Sequence, residues 1–194
     1  HTCICGAQVL SNGHHGLHCV RSAGRQSRHN IVNDIVHRAL TSAGVASVRE
    51  PTYLCTSDDR RPDGITLVPW ARGKCVVWDF TCPDTLAPSH LALTSRVAGS
   101  AADSAEVIKT RKYSDLNNLY EVIPIAIETL GSWGKIGDKF IKNIGVRISQ
   151  ITREPRACAF LKQRISIAIQ RGNVSSVLGT HSHLERGMLP ACDC

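Results

Sequence analysis

Two short apolar segments, each carrying one aspartate, constrain the fold of this chain more than any other feature. Segment 60–68 reads Arg-Arg-Pro-Asp-Gly-Ile-Thr-Leu-Val, and segment 74–81 reads Lys-Cys-Val-Val-Trp-Asp-Phe-Thr. Their β-branched and aromatic residues, with proline and glycine between them, predict two strands joined by a hairpin loop. Asp63 and Asp79 therefore stand among residues that belong in a core. A carboxylate buried there without a partner costs several kcal/mol.

Two carboxylates that converge from neighbouring strands would form an oxygen-rich pocket. Such a pocket suits Mg²⁺ or Mn²⁺. The alternative is that Asp63 and Asp79 lie at strand ends or in a turn and face water. Their spacing in the sequence does not separate these two interpretations.

A second cluster of metal-binding residue types occupies the first nineteen residues: Cys3, Cys5, His14, His15 and Cys19. Two close thiolates, a short loop, and then a histidine and a cysteine predict a closed tetrahedral Zn²⁺ site, with either His14 or His15 as a ligand. Because so short a segment cannot bury a core, the metal would supply its folding energy. The alternative is a set of reduced cysteines beside an unrelated histidine cluster.

Composition limits the class of protein and its partners. The chain has 194 residues, of which 42% are hydrophobic and 20% charged, as expected of a globular protein. Its net charge of +7 favours a polyanionic partner. Nine unevenly spread cysteines favour a reducing, intracellular compartment. No apolar run approaches the roughly 20 residues that a membrane-spanning helix needs, so no membrane partner is expected. The lack of a leader and of an initiator methionine predicts a fragment of a longer protein.

Periodicity and breaker residues predict the order α-β-β-β-α-β-α-α. The predicted helices cover about 28–43, 100–119, 139–152 and 156–171. Ser27 is the predicted N-cap of the first of them, which follows a basic linker over 20–26. The outer strands are predicted over 45–53 and 122–127, and a loop is predicted over 82–88. Pro124 predicts that this part of the last strand lies either at the end of the strand or at the edge of the sheet.

The helix predicted over 100–119 carries a mixed set of charged residues on one face. Glu106, Lys109, Lys112 and Tyr113 follow helical spacing. One interpretation is that this face lies against the two strand aspartates, where a lysine orients or deprotonates a water. The alternative is a solvated helix surface with salt bridges.

In their order along the chain, these motifs resemble the PD-(D/E)xK nuclease superfamily. More narrowly, they resemble the restriction-like endonuclease domain of site-specific non-LTR retrotransposons. In that family a Cys-Cys-His-Cys zinc knuckle precedes an Arg-His-Asn helix start, Pro-Asp and Asp motifs, and a helix with a Lys-x-x-Lys-Tyr pattern. The matching residues are Cys3, Cys5, His15 and Cys19, then Arg28, His29 and Asn30, then Pro62, Asp63 and Asp79, and finally Lys109, Lys112 and Tyr113. The resemblance covers about residues 3–180.

The resemblance implies an α/β fold with a PD-(D/E)xK restriction-endonuclease-like core, in which a mixed central sheet of about four strands is flanked by helices. It implies a zinc knuckle and basic linker over 1–26, a nuclease domain over 27–180 with extra C-terminal helices, and a flexible tail over 181–194. The implied function is a nuclear, metal-dependent DNA endonuclease that leaves a 5′-phosphate and a 3′-hydroxyl. That hydroxyl would prime reverse transcription of the element's RNA by an upstream reverse transcriptase domain.

The family also implies roles for individual residues. The implied catalytic set is Asp63, Asp79, Lys109, Lys112 and Tyr113, with the two aspartates and the main-chain carbonyl of Phe80 as Mg²⁺ ligands. The superfamily usually has a lysine two residues after the second acid, where this chain has Thr81. In the retrotransposon group the following helix supplies the lysine, which points to Lys109 or Lys112. The alternative function, which Thr81 favours, is a non-catalytic nucleic-acid-binding module that has kept the fold.

Several basic residues are predicted to contact the nucleic-acid backbone, where affinity is independent of sequence and sensitive to salt. They are Arg28, His29, Arg60, Arg61, Arg164 and Arg171. Arg28 and His29 lie in the predicted first turn of a helix, where they either face a phosphate or are simply solvated. Arg164 and Arg171 are one heptad apart, so they form either a phosphate-tracking stripe or an ordinary polar surface. His29 and Glu50 are further candidates for the metal pocket.

Overall fold

The computed structural model describes residues 1–52, 54 and 61–180. Within these residues the fold is mixed α/β, with six α-helices, one 3-10 helix and a four-stranded sheet. The elements in chain order are α1 His14–His18, α2 Ala23–Ser42, β1 Ser47–Arg49, β2 Gly64–Thr66, β3 Val76–Thr81, α3 Pro88–Thr94, α4 Ser100–Lys112, the 3-10 helix Ser114–Asn118, β4 Glu121–Ala126, α5 Lys135–Thr152 and α6 Ala157–Leu178. The predicted mixed sheet of four strands is confirmed.

The sheet has the strand order β1-β2-β3-β4. The first two pairings are antiparallel and the β3–β4 pairing is parallel. The connection between β3 and β4 therefore crosses over through α3 and α4, as parallel strands require. Pro124 lies within β4, which is an edge strand, so the predicted edge position is confirmed. An edge strand tolerates proline because one side of its backbone needs no hydrogen-bond donor.

Side chains of β3 alternate between two cores. Trp78 and Phe80 pack into the main core with α2, α5 and α6, whereas Val77 packs with Ile65 and Tyr113 on the opposite face, beside α4. The main core is built from large buried residues of these elements and of β4, including Val36, Leu40, Ile125, Ile141, Ile144, Ile165 and Ile169. This two-sided burial explains why β3 reads as an almost continuous apolar run.

Several predicted boundaries are wrong. Helix α2 begins at Ala23, so Ser27 is not its N-cap, and residues 23–26 are helical rather than a linker. Packing against α6 accounts for the longer helix, because a Cβ at Gly24 would collide with the backbone of Ser176. Strand β1 is shorter than predicted, and α3 follows the predicted loop with Pro88 in its first turn, where proline is favoured.

The N-terminal segment is anchored to the rest of the chain. The His18 side chain contacts Asp84 (Nδ1 to Oδ2, 3.0 Å), and the Ser22 hydroxyl donates to the Ser176 carbonyl at 3.2 Å. Helix α1 packs against α6, where a Cβ at Gly16 would lie 2.7 Å from the Cα of Val177. Residue 26, the predicted boundary of the knuckle region, lies inside α2, and the predicted division into domains stays a prediction.

Glu106 links α4 to the start of α5. Its carboxylate accepts the main-chain N–H groups of Ile136 (2.9 Å) and Gly137 (2.7 Å), which lie in the first turn of α5. These donors have no partner within their own helix, so Glu106 caps α5 from another element. Glu106 is buried, and so it does not belong to the solvated charged surface that was one interpretation of this face.

We expect Glu106→Ala to lower the free energy of unfolding by about 2–4 kcal/mol, because it leaves one buried and one partly buried N–H donor without an acceptor. Burial raises the pKa of the Glu106 carboxyl, so the folded protein holds this proton to higher pH than the unfolded chain does. The stability that this group contributes is complete below the unfolded pKa, about 4.3, and is lost as the pH rises through the folded pKa. The stability advantage of the wild type over Glu106→Gln should therefore shrink with rising pH.

Urea unfolding of both proteins between pH 4 and pH 8 measures this difference. Glu154→Gln is the matched control, because Glu154 pairs with Arg156 at the surface. A difference between the wild type and Glu106→Gln that does not change with pH would contradict the prediction.

Candidate functional site

Asp63 and Asp79 lie on the same face of adjacent strands. Asp63 immediately precedes β2 and Asp79 lies within β3, and the strand register pairs Gly64 with Trp78 and Ile65 with Val77. Side chains alternate along a strand, so the Asp63 side chain lies on the same face of the sheet as that of Ile65. For the same reason, the Asp79 side chain lies on the same face as that of Val77. Both aspartates are buried, with 8% and 4% of their surface exposed. The interpretation that both face water at strand ends is therefore wrong.

Asp63 is held by β3 and α2. Its Oδ2 accepts the main-chain N–H of Phe80 at 2.6 Å and lies 3.2 Å from Nε2 of His29. Hydrogen bonding to Asp63 raises the pKa of His29, the negative charge of Asp79 adds to this effect, and burial opposes it. His29 is therefore poised to carry a positive charge beside the two aspartates.

Asp79 is held by Lys109 of α4 and by Tyr113, the residue at the C-cap of that helix. Its Oδ1 accepts the Tyr113 hydroxyl at 2.8 Å, and its Oδ2 lies 2.5 Å from Nζ of Lys109. The ammonium group of Lys112 instead lies over the Tyr113 ring, 4.8 Å from its centroid, and its side chain is exposed. Of the two candidate lysines, Lys109 contacts the acid pair.

The carboxylates and the Phe80 main chain offer the oxygen ligands that Mg²⁺ prefers. Among the described residues, Oδ2 of Asp79 is buried and has no partner with hydrogen-bond geometry, although Nζ of Lys109 lies 2.5 Å from it as an ion pair. A dication bound to this oxygen would compete with the Lys109 ammonium group. The donor set therefore fits a divalent cation, with Lys109 next to it.

The other predicted contact residues lie at different places. Arg61 pairs with Glu50 at 2.7 Å, next to the hydrogen bond from the Glu50 N–H to the Asp63 carbonyl. Arg164 and Arg171 line one groove of about 330 Å³ between α2 and α6. Arg60 lies outside the described residues.

Arg28 and His29 lie in the second turn of α2 rather than the first, because the helix starts at Ala23. Arg28 is buried and donates from Nη1 to Oδ1 of Asn173 on α6. The predicted position in the first turn is therefore wrong, and Arg28 is not solvated. Contact of these two residues with a phosphate stays a prediction. Asn173 contacts Arg28, and Asp84 contacts His18. No local sequence pattern marks Asn173 or Asp84 as such a partner.

Four side chains of the N-terminal segment could hold a metal ion such as zinc. The ligand atoms of Cys3, Cys5, His15 and Cys19 all lie within 4.8 Å of one another. Sγ of Cys3 is 3.7 Å from Sγ of Cys19, and Sγ of Cys5 is 3.2 Å from Nε2 of His15. A tetrahedral Zn²⁺ site with Zn–S bonds of about 2.3 Å and Zn–N bonds of about 2.0 Å requires ligand separations of about 3.5–3.8 Å. The four side chains are therefore close to that geometry.

The structure selects between the two histidines. His15 belongs to the group, whereas His14 is exposed and outside it. The Ala7 backbone hydrogen bond, helped by contacts with Cys3, Cys19 and His15, lowers the pKa of Cys5 to about 7. A lowered pKa favours the thiolate, which is the form that binds metal.

No protein-family model matches the chain, and no curated protein matches its sequence. The family resemblance therefore stays a prediction that rests on the motifs and on the residues brought together here. Among the described residues, no helix is both long enough and apolar enough to cross a membrane.

Proposed function

We propose that this chain is a divalent-metal-dependent DNA endonuclease with a PD-(D/E)xK-type core, similar to the restriction-like domain of site-specific non-LTR retrotransposons. The observation that carries the proposal is the arrangement of Asp63 and Asp79 on adjacent strands, with Lys109 of α4 in contact with Asp79. The net charge of +7 supports a polyanionic substrate.

Asp63, Asp79 and the carbonyl of Phe80 would hold Mg²⁺ or Mn²⁺. When bound, the ion polarises the scissile phosphate and lowers the pKa of a coordinated water. The chain's own groups set the geometry: the Phe80 N–H orients Asp63, and the Tyr113 hydroxyl orients Asp79. Both carboxylates are thereby held in position before the substrate arrives, which reduces the cost of reorganisation.

Lys109 and His29 supply positive charge on either side of the acid pair. The Lys109 ammonium group, next to Asp79, would donate hydrogen bonds to the attacking water or to a non-bridging phosphate oxygen as charge grows there. His29 keeps Asp63 oriented and faces the same phosphate region. A lysine from α4 would then replace the one usually found at the position of Thr81.

The nick would leave a 5′-phosphate and a 3′-hydroxyl. In a retrotransposon that hydroxyl would serve an upstream reverse transcriptase domain as a primer on the element's RNA. The partners proposed on this basis are DNA, the element's RNA and that domain, in the nucleus.

The test is nicking of supercoiled plasmid DNA by the zinc-loaded chain, with Mg²⁺ or Mn²⁺ compared with EDTA. We expect metal-dependent conversion to the open circle, and ends that a ligase can rejoin without prior kinase treatment. Binding of DNA without metal-dependent nicking would contradict the proposal and favour the non-catalytic binding module.

Lys109→Met should lower the single-turnover nicking rate by about 10²–10³-fold, since it removes a charged donor aimed at the reacting phosphate. Lys112→Met is the matched comparison, three residues along the same helix, and should change the rate by less than about threefold, because its ammonium group lies over the Tyr113 ring and not on an aspartate of the pair. DNA affinity in EDTA separates a loss of binding from a loss of chemistry. A larger loss of rate in Lys112→Met would contradict the assignment of Lys109.

A further inference from the structure

A positively charged cavity lies directly beside the candidate active site. It has a volume of about 250 Å³ and shares His29 and Phe80 with that site. Its other walls include Ser22, Arg25 and Arg28, and none of its lining residues is acidic. We call it the α2 pocket, because four of its nine lining residues belong to the first two turns of that helix.

The buried guanidinium group of Arg28 has no carboxylate partner among the described residues. Only 2% of Arg28 is exposed, and its stem packs so closely on Gly172 that a Cβ there would lie 2.5 Å from Cβ of Arg28. Its Nη1 donates to the neutral amide of Asn173 at 2.5 Å, and within the part of the chain that the structure describes its Nε has no hydrogen-bond partner. Among the described residues, no carboxylate forms a salt bridge with it. A buried charge without a partner is costly, so this group favours an anion brought by a ligand.

A chain of hydrogen bonds fixes the orientation of Arg28 and also occupies the carboxylate of Asp84. Nδ2 of Asn173 donates to the Thr129 carbonyl at 2.7 Å, which turns the amide oxygen of Asn173 toward Arg28. The Thr129 hydroxyl donates to Oδ1 of Asp84 at 3.0 Å, and His18 contacts the other oxygen of Asp84. The Leu86 N–H also donates to Oδ1 of Asp84 at 3.2 Å, so this carboxylate is already contacted by three other groups.

The start of α2 adds a second attraction for an anion. This helix has twenty residues, and the side chain of Ser22 at its N-cap makes no capping hydrogen bond, because its hydroxyl donates to Ser176 of α6. An uncapped helix N-terminus exposes N–H donors and the positive end of the helix dipole. Arg25 stands at the rim, held through its contact with the His18 carbonyl at 3.3 Å.

We propose that the α2 pocket binds a phosphate group, and that in the DNA complex it holds the backbone phosphate next to the one that reaches Asp63 and Asp79. Arg28 contacts this phosphate from the interior and Arg25 contacts it from the rim. The second half of this statement rests on the proposed function. The pocket would set the register of the strand, so that the scissile phosphate arrives at the acid pair.

DNA binding in EDTA tests the pocket without depending on cleavage. We expect Arg25→Gln and Arg28→Gln each to weaken affinity for a duplex by about tenfold. Each should also reduce the slope of log K against log salt concentration by about 0.9, as for one lost phosphate contact. Arg156→Gln is the matched control, an exposed arginine at the opposite end of α6. Unchanged slopes in both pocket variants would overturn the assignment to DNA.

A second measurement covers the case in which Arg28→Gln does not fold. Gln26→Glu places a negative charge on the exposed rim of the pocket, and Gln150→Glu places the same charge on α5 as a control. Inorganic phosphate should raise the melting temperature of the wild type and the Gln150→Glu variant, but raise that of Gln26→Glu less. Stabilisation by free phosphate, together with unchanged DNA slopes, would make free phosphate the ligand and overturn the DNA-backbone role. The absence of both effects would overturn the site itself.

Discussion

Asp63→Asn and Asp79→Asn are each expected to lower the rate of Mg²⁺-dependent nicking by at least about 10³-fold. A metal ion contributes several kcal/mol to the stabilisation of a phosphoryl transition state, and each 1.36 kcal/mol corresponds to a factor of ten. An amide keeps the shape of the carboxylate but removes its charge. The new amide oxygen can still accept the Phe80 N–H at position 63, or the Tyr113 hydroxyl at position 79.

Because the local hydrogen bonds survive, a loss of rate reports on metal binding rather than on folding. Asp138→Asn is the control, since Asp138 forms ion pairs with Lys142 and Lys162 on the surface of α5 and α6. This variant should nick plasmid DNA at the wild-type rate. Each variant loses an ion pair, that of Asp63 with His29 or that of Asp79 with Lys109, so thermal unfolding must show that both variants are still folded. Their DNA affinity in EDTA should not fall, because each change removes a negative charge. Wild-type nicking by either one would show that the acid pair is not the catalytic metal site.

His15→Ala is expected to weaken Zn²⁺ binding by more than about 100-fold, whereas His14→Ala should leave it unchanged. Removal of a group that only supports a ligand typically lowers metal affinity by about 10–100-fold. We expect a larger loss for His15, because its own side chain lies among the candidate ligands. The two histidines are adjacent in α1, so the pair separates ligation from any general effect of removing an imidazole. Competition with a chromophoric chelator gives both affinities.

Removal of zinc should unfold the N-terminal segment and leave the sheet intact. The segment has only a small buried cluster, of Cys3, Val9 and Cys19, so the metal supplies most of its folding free energy. Hydrogen exchange should show loss of protection over residues 3–19, with protection kept in β3 and α5. Unchanged protection over 3–19 without zinc would contradict this prediction. Equal losses of zinc affinity in His14→Ala and His15→Ala would remove His15 from the ligand set.

Much of the candidate site was predictable because its signals are local. Two apolar strands with a short connection predict a hairpin, and an antiparallel hairpin brings residues such as Asp63 and Asp79 to neighbouring positions. The Cys-x-Cys pattern followed by a histidine and a cysteine likewise predicts a compact metal site. Pro124 predicted an edge strand for an equally local reason, because proline has no main-chain N–H to donate to a neighbouring strand.

Other features depend on how distant elements pack. Lys109 and Lys112 both fit a helix that faces the aspartates, and the rotation of α4 against the sheet turns Lys109 toward Asp79. Glu106 shares that helical spacing, but the nearby start of α5 makes it a buried cap. Arg28 reads as an exposed helix-start arginine until α6 covers it with Gly172 and Asn173.

The amino-acid sequence by itself determined the α/β class, the two strands that bear the acids, and the types of residue available for metal and phosphate. The tertiary structure alone decided which lysine meets Asp79, which histidine joins the cysteines, and that the Arg28 guanidinium is buried with no carboxylate partner among the described residues. The physical reason is the range of the interactions. Strand alternation and helical spacing act over a few residues, whereas burial and charge pairing at these positions depend on α4, α5 and α6, which lie far along the chain.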